Sequence, residues 1–297
     1  MTAGPLLSLG AVLVLAPALP GVATKTKSLL TGRRGAPVLQ LYWDLVRLLR
    51  KGAVYSTTTS WMFRLAPVAG AVTPLLAAIL LPLDGRGAVL QFSGDFVAFA
   101  ALLALGRFTL ILAALDTGSS FEGMGASRDA AFASLVEPAL FLCFVVLMLA
   151  TGRLSLSGML GAAPAPSLAM VAVSLFFVLL AEASRVPVDD PATHLELTMI
   201  HEVAVLDHSG PDLALLLYGA ALRMALFAAL PVSVLVSRAE WVAPLALAVL
   251  VAGMVLVAVA VGIIESSMAR LRLSRVPQFL VAASVLASLG VILQLLT

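Results

Sequence analysis

The sequence predicts an all-α polytopic membrane protein with about eight transmembrane helices and one short interfacial amphipathic helix. Three observations lead there. Of 297 residues, 61% are hydrophobic and 11% are charged, where a soluble domain carries roughly 25% charged residues. Mean hydropathy is +1.09. The apolar residues also fall in continuous runs of about twenty rather than alternating, which excludes a transmembrane β-barrel, whose strands must alternate lipid-facing and lumen-facing side chains. A single integral membrane domain over residues 1–297 follows.

The first apolar run, about 5–23, has no basic residue before it and Lys25, Lys27, Arg33 and Arg34 after it. That is the reverse of a secretory signal, so it reads as a span with its N-terminus outside. Next comes LQLYWDLVRLLRKG. Leu41, Leu45, Leu48 and Leu49 share one helical face, with Val38 and Tyr42 at its edge, while Asp44, Arg47, Arg50 and Lys51 take the other side. A short helix of this kind lies in the membrane interface. Seven further spans are expected at about 61–83, 88–114, 131–151, 167–187, 212–237, 241–265 and 276–296. At about 1.5 Å per residue, each reaches across roughly 30 Å of hydrocarbon.

Lysine and arginine count orients these spans. The first connection and the start of the second span hold Lys25, Lys27, Arg33, Arg34, Arg47, Arg50, Lys51 and Arg64. Arg128 lies in the third connection, Arg185 opens the fifth, and Arg270, Arg272 and Arg275 lie in the seventh. The other side has Arg86, Arg153 and Arg238. Odd-numbered connections are therefore expected in the cytoplasm and both termini outside. The mild basic excess, a formal charge of +2, fits this bias and gives no reason to invoke nucleic acid.

Charges recur where the bilayer disfavours them: Asp95, Arg107, Glu137, Glu182, Arg223 and Glu265 fall within or at the edge of expected spans. A charge at the bilayer centre costs about 2.5–3.5 kcal/mol on insertion scales, so such groups face the bundle interior and pair. Two readings stay open: static interhelical ion pairs, or a proton relay through buried carboxylates. Glu182 and Arg185 stand three apart, a spacing at which they meet on one helix face.

Beyond Arg185 runs an acid-rich segment, VPVDDPATHLELTMIHEVAVLDHSGPD, forming a cytoplasmic loop over about 186–211. His201–Glu202 opens an HExxH-like pattern, but Val205 stands at the closing position, so the zinc-protease pattern fails. His194, His201 and His208 recur every seventh residue, about 10.5 Å per step on a helix, too far apart for one metal. They read as part of a solvated polar loop. The single cysteine, Cys143, lies in the apolar FLCFVVLML and supplies no iron–sulfur ligation by itself. GSSFEGMGAS at Gly118–Ser127 follows no strand and reads as a flexible cytoplasmic loop. No Walker sequence, dinucleotide fingerprint or nucleophile elbow is present.

The run Glu182-x-x-Arg185-x-Pro187-x-Asp189, followed by Glu196-Leu197, resembles the cytoplasmic loop of the complex I membrane subunit 1 family. The fuller stretch RVPVDDPATHLELTMIHE, with LYWDLVRLLRK, SLVEPALF and ESSMARLRLSRVPQFL, resembles its hydrogenase branch, the formate hydrogenlyase subunit 4 and hydrogenase-4 component C type. The resemblance covers essentially the whole chain. Where the quinone-reducing branch has Phe this chain has Val188, and where it has two further acids this chain has Ala192 and His194. The resemblance implies a membrane subunit of a membrane-bound nickel–iron hydrogenase complex in a bacterial or archaeal cytoplasmic (inner) membrane. Its implied partners are hydrogenase large and small subunits, an iron–sulfur subunit and antiporter-like membrane subunits. The nickel–iron centre and iron–sulfur clusters would belong to those partners, leaving no cofactor, metal or catalytic residue on this chain.

The expected coupling path comprises Asp189, Glu196 and Glu202 on the loop, then Glu182, Glu137 and Glu265, with Arg185 and Arg223 as counter-charges. Asp190, His194, His201 and Asp207 are the expected docking-loop residues. Three alternatives remain at this level: a quinone-chamber subunit of an NADH:quinone oxidoreductase, a docking-only anchor and a free-standing transporter.

Overall fold

The computed structural model describes residues 3–83, 85, 87–160, 165–189, 199–236 and 241–296. These are helical with short connections, and no strand occurs among them. The first expected span is broken. Helix α1 (Ala3–Leu15) and α2 (Ala18–Leu30) meet at a 46° bend. Pro17 and Pro20 remove two backbone donors there, the usual cause of a sharp kink. The amphipathic stretch forms α3 (Gln40–Leu49) and packs on α2 and on α9 (Gly210–Leu235). The other long helices are α4 (Trp61–Leu80), α5 (Asp95–Asp116), α6 (Ser120–Thr151), α10 (Ala243–Ser267) and α11 (Val276–Leu296). A one-turn helix, α7 (Leu156–Met159), and the 17-residue α8 (Pro166–Glu182) complete the set.

By length and composition, six helices among the described residues can cross a membrane, and the bent α1–α2 pair makes seven. The remaining expected span, the fifth at about 167–187, corresponds to α8, whose 17 residues measure about 26 Å. Three boundaries differ from expectation. The apolar residues 88–94 are not helical, because Gly94 sits at φ 89° and α5 starts only at Asp95. The expected flexible loop at Gly118–Ser127 is instead the first two turns of α6 from Ser120 onward. Its glycines serve packing: a Cβ on Gly125 would lie 2.2 Å from Val203 and 3.0 Å from the Ile200 carbonyl. The third boundary, at the end of α8, shapes the site.

Five helices close a ring. α4 packs on α5, α5 on α6, α6 on α8, α8 on α9, and α9 back on α4. α11 lies outside against α6 and α8, while α2 and α10 lie outside against α9. Burial follows this plan: 67% of the apolar window of α9 is buried, against 28% for α10 and 22% for α11. The outward faces of those two helices, with Leu256, Ile263, Val285 and Ile292 exposed, suit lipid, since hydrocarbon solvates such side chains.

The connections segregate to two ends. At one end Asp116 accepts from the Ser60 N–H, Ser209 from the Val54 N–H, Glu122 from the Asp207 N–H, and the Leu271 N–H donates to the Pro187 carbonyl. At the other, Asp95 accepts from the Leu156 N–H at 2.6 Å and the Gly94 N–H donates to the Leu154 carbonyl. Lys25 to Arg64, Arg128, Arg185 and Arg270 to Arg275 belong to the first end, the one carrying the acid-rich segment.

Candidate functional site

The interior of the ring is charged. α5 contributes Arg107, α6 contributes Asp129 and Glu137, α8 ends on Glu182, and α9 contributes Arg223. Glu182, 5% exposed at its side chain, pairs with Arg107 through Oε1 and with Arg223 through Oε2 at 3.6 Å. Arg107 also reaches Asp129 at 3.9 Å, and Arg223 donates to the Leu103 carbonyl at 3.2 Å. Two guanidiniums on one carboxylate would repel, and Asp129 supplies a second anion for Arg107. Glycines make this convergence possible. A Cβ on Gly106 would collide with Thr73 Oγ1 at 2.2 Å and crowd the Arg223 guanidinium at 3.4 Å. A Cβ on Gly219 would stand 2.1 Å from the Gly70 carbonyl, so α4 and α9 cross backbone to backbone beside the charges. Pro74 leaves that Gly70 carbonyl without its usual i+4 donor.

The expected Glu182–Arg185 pair does not form, and the reason is local. The Arg185 N–H bonds to the Leu180 carbonyl and the Ser184 N–H to the Ala181 carbonyl, with Ser184 at φ 49°. This pattern terminates a helix with one left-handed residue. The three-apart spacing places side chains together only within a helix, and the helix stops at Glu182. Arg185 turns away, reaching Glu265 on α10 at 3.3 Å, and Lys27 approaches the same carboxylate at 3.9 Å.

Beyond the turn, Asp189 is 2% exposed. It pairs with Arg270 at 2.9 Å and accepts from the Ile200 and His201 N–H groups at 3.0 and 3.2 Å. This one carboxylate ties the backbone at Ile200 and His201 to the connection between α10 and α11. The described residues of the segment are less solvated than its composition suggests. Among its histidines, His208 is 4% exposed and stacked on Phe63 with ring centroids 3.9 Å apart. His201 lies against the ring's charges, while Asp207 is exposed. Glu202 opens a 3₁₀ turn, and Asp190, His194 and Glu196 lie outside the described residues.

Three cavities run through this region. A cavity of about 140 Å³ is lined by Arg107, Glu137 and Glu182 with apolar residues of α5, α6 and α9. Glu182 separates it from a pocket of about 40 Å³ bounded by Gly70, Gly106, Gly219, Arg223 and His201. His201 in turn borders a cavity of about 200 Å³ lined by Arg185, Asp189, Glu202, Met224 and Leu41 of α3. Burial in this setting pushes the His201 imidazole below the ordinary histidine value. Asp129 and Asp189 oppose that shift, whereas Arg223 and Arg107 reinforce it.

This arrangement belongs to a known architecture. The NADH dehydrogenase family profile matches residues 5–296. The chain is a member of that family, of the complex I subunit 1 type. Formate hydrogenlyase subunit 4 of Escherichia coli (strain K12) is 29% identical over 286 residues, covering 92% of each chain. Hydrogenase-4 component C of the same organism is 32% identical, covering 74% of this chain and 70% of its own length. An NADH-quinone oxidoreductase subunit from Rickettsia prowazekii (strain Madrid E) is 26% identical over 65% of this chain and 58% of its own. The fold matches a chain of the membrane-bound sulfane sulfur reductase, an archaeal respiratory membrane complex, with TM-score 0.82, 19% identity and 98% coverage of both.

In this complex I subunit 1 type chain the structure joins Glu137 and Glu182 through one cavity and Glu182 directly to Arg223. It places Arg185 with Glu265, and Asp189 with Arg270. Sequence reasoning recorded Arg107 as an in-span charge without giving it a role, and it missed Asp129. Asp129 was detectable: it stands eight residues before Glu137, on the same helical face, once α6 is allowed to start at Ser120.

Proposed function

We propose that this chain is the membrane subunit of a membrane-bound nickel–iron hydrogenase complex related to respiratory complex I. In this reading it docks the cytoplasmic hydrogenase arm and couples redox chemistry there to proton translocation by antiporter-like partners. The bilayer would be the cytoplasmic (inner) membrane of a bacterium or archaeon, with the acid-rich end inward. Formate hydrogenlyase and hydrogenase-4 relatives support the complex type, and complementary charge at one end of the molecule suits docking.

The observation that carries the coupling role is the sequence of ionisable groups and cavities: Glu137, then Arg107–Glu182–Arg223, then His201, then the loop acids. A cavity of about 140 Å³ between Glu137 and Glu182 exceeds the roughly 10–15 Å³ that one water needs, and Arg107, Glu137 and Glu182 offer such waters polar partners on its otherwise apolar wall. Carboxylates linked by water exchange protons. Asp189 is better read as an anchor, since its two oxygens are occupied by Arg270 and two backbone donors.

Glu137 gives the cleaner test, because it makes no ion pair among the described residues. Removing a partner from a buried ion pair, as Glu182→Gln does, costs about 3–5 kcal/mol and confuses stability with transfer. In the assembled complex in proteoliposomes, Glu137→Gln is expected to lower protons translocated per H2 by at least about tenfold, since a lost acid–base group typically costs roughly 10²–10⁴-fold in transfer rate. If Glu137→Gln and Glu182→Gln both assemble and translocate at the native ratio, the charges are static pairs and the relay is wrong.

A further inference from the structure

We propose that His201 is the group that hands protons between the loop-side cavity and the cavity behind Glu182. This rests on the coupling role proposed above and names its transfer residue. Among the described residues, Glu182 is the single one shared by the two inner cavities, and His201 is the one ionisable residue shared by the 40 Å³ and 200 Å³ cavities. Ser184 and three apolar residues complete that second partition. The His201 backbone is fixed by its N–H bond to Asp189, whereas its ring makes no side-chain hydrogen bond among the described residues and faces both spaces.

The chemistry suits this position. A neutral imidazole has one N–H donor and one bare nitrogen. A proton arriving through water from the Glu202 side forms an N–H bond at the bare nitrogen. The N–H bond at the other nitrogen then breaks, and its proton passes through water in the inner pocket to the Glu182 carboxylate. Charge is conserved at the ring, which returns to its first state by tautomer exchange. The neutral form is the one favoured here: burial outweighs Asp129 and Asp189, while Arg223 and Arg107 also disfavour an imidazolium. Permanent charges fit the same position poorly. An arginine would not release its proton.

The test is made on the assembled complex in proteoliposomes, reading protons translocated per H2 for His201→Ala with and without added imidazole. The expected result is a ratio lower by at least about tenfold, since a lost proton-transfer group typically costs roughly 10²–10⁴-fold in rate, recovered when imidazole enters the space vacated at the partition. Full translocation by His201→Ala while Glu137→Gln fails overturns the assignment of His201 and leaves the coupling path standing. Native translocation by both variants overturns the path itself. His201→Asn keeps a similar shape but carries no relay, and it also serves if the alanine variant does not assemble. A native ratio in His201→Asn means the histidine only fills space, which also overturns the proposal.

Discussion

At the scale of single residues, His208 shows what burial does to a group that composition assigns to a solvated loop. Its ring lies 9° from parallel with Phe63, and neither ring nitrogen has a hydrogen-bond partner. Burial pushes its pKa down to about 4, against the opposing pull of Asp212 and Asp207. The unfolded chain binds this proton near pH 6.5, so between pH 6.5 and 4 the unfolded state takes up a proton that the folded state refuses. The contribution to stability is complete at pH 7 and falls as pH drops through that window, by roughly 2 kcal/mol on reaching pH 5. His208→Phe keeps the stack and removes the titration. The thermal unfolding midpoint of purified protein should fall less between pH 7 and 5 in the variant than in the native chain, and equal falls would contradict the assignment. The same scale shows what sequence could disclose. The charges at 107, 137, 182, 223 and 265 stand out against apolar neighbours, because hydrocarbon leaves few tolerable places for a charge. Their pairing was not legible, since Arg107 is far from Glu182 in the chain and only the closure of the helix ring brings them together.

At the scale of elements, the informative error was at the end of α8. The apolar run continues to Val186 and Val188, so hydropathy alone extends the helix through Arg185. The backbone instead stops with Ser184 in the left-handed region, a conformation expected of glycine or asparagine and therefore unmarked in this sequence. That turn sends Arg185 to α10 and leaves Glu182 to Arg107 and Arg223. A β-branched residue at 184 should resist it: Ser184→Val is expected to be less stable than Ser184→Gly by about 1–2 kcal/mol, the order of the left-handed penalty. It should also loosen the Arg185–Glu265 contact. Measuring the thermal midpoint of the variant beside Ser184→Gly, which tolerates the conformation, tests this. A valine variant as stable as the glycine one would show that the turn is not what holds α8 short. Elsewhere, helix existence was legible from apolar length, and helix starts were less so. Gly123 and Gly125 read as loop residues, yet they lie in the first turns of α6, where Gly125 gives the 3₁₀ turn at Glu202–Val205 a Cβ-free surface to pack on.

At the scale of the whole molecule, alternating long helices gather the lysine-rich and arginine-rich connections at the end that also holds the acid-rich segment and the 200 Å³ cavity. Among the described residues the opposite end has Arg153, in the connection between α6 and α7. The positive-inside bias predicts that the basic end faces the cytoplasm, the side on which the proposed docking needs a hydrogenase arm. Single-cysteine reporters test this directly, and the native chain is well suited to them because Cys143 is 0% exposed and silent to a membrane-impermeant maleimide. Arg33 and Arg153 are exposed at opposite ends. In right-side-out membrane vesicles Arg153→Cys is expected to label at once, and Arg33→Cys only after permeabilisation. Inside-out vesicles should reverse the order. If Arg33→Cys labels from outside, the acid-rich segment faces away from the cytoplasm. The carboxylates and cavities would then lie out of reach of a cytoplasmic redox arm, and neither docking nor coupling at that end could stand.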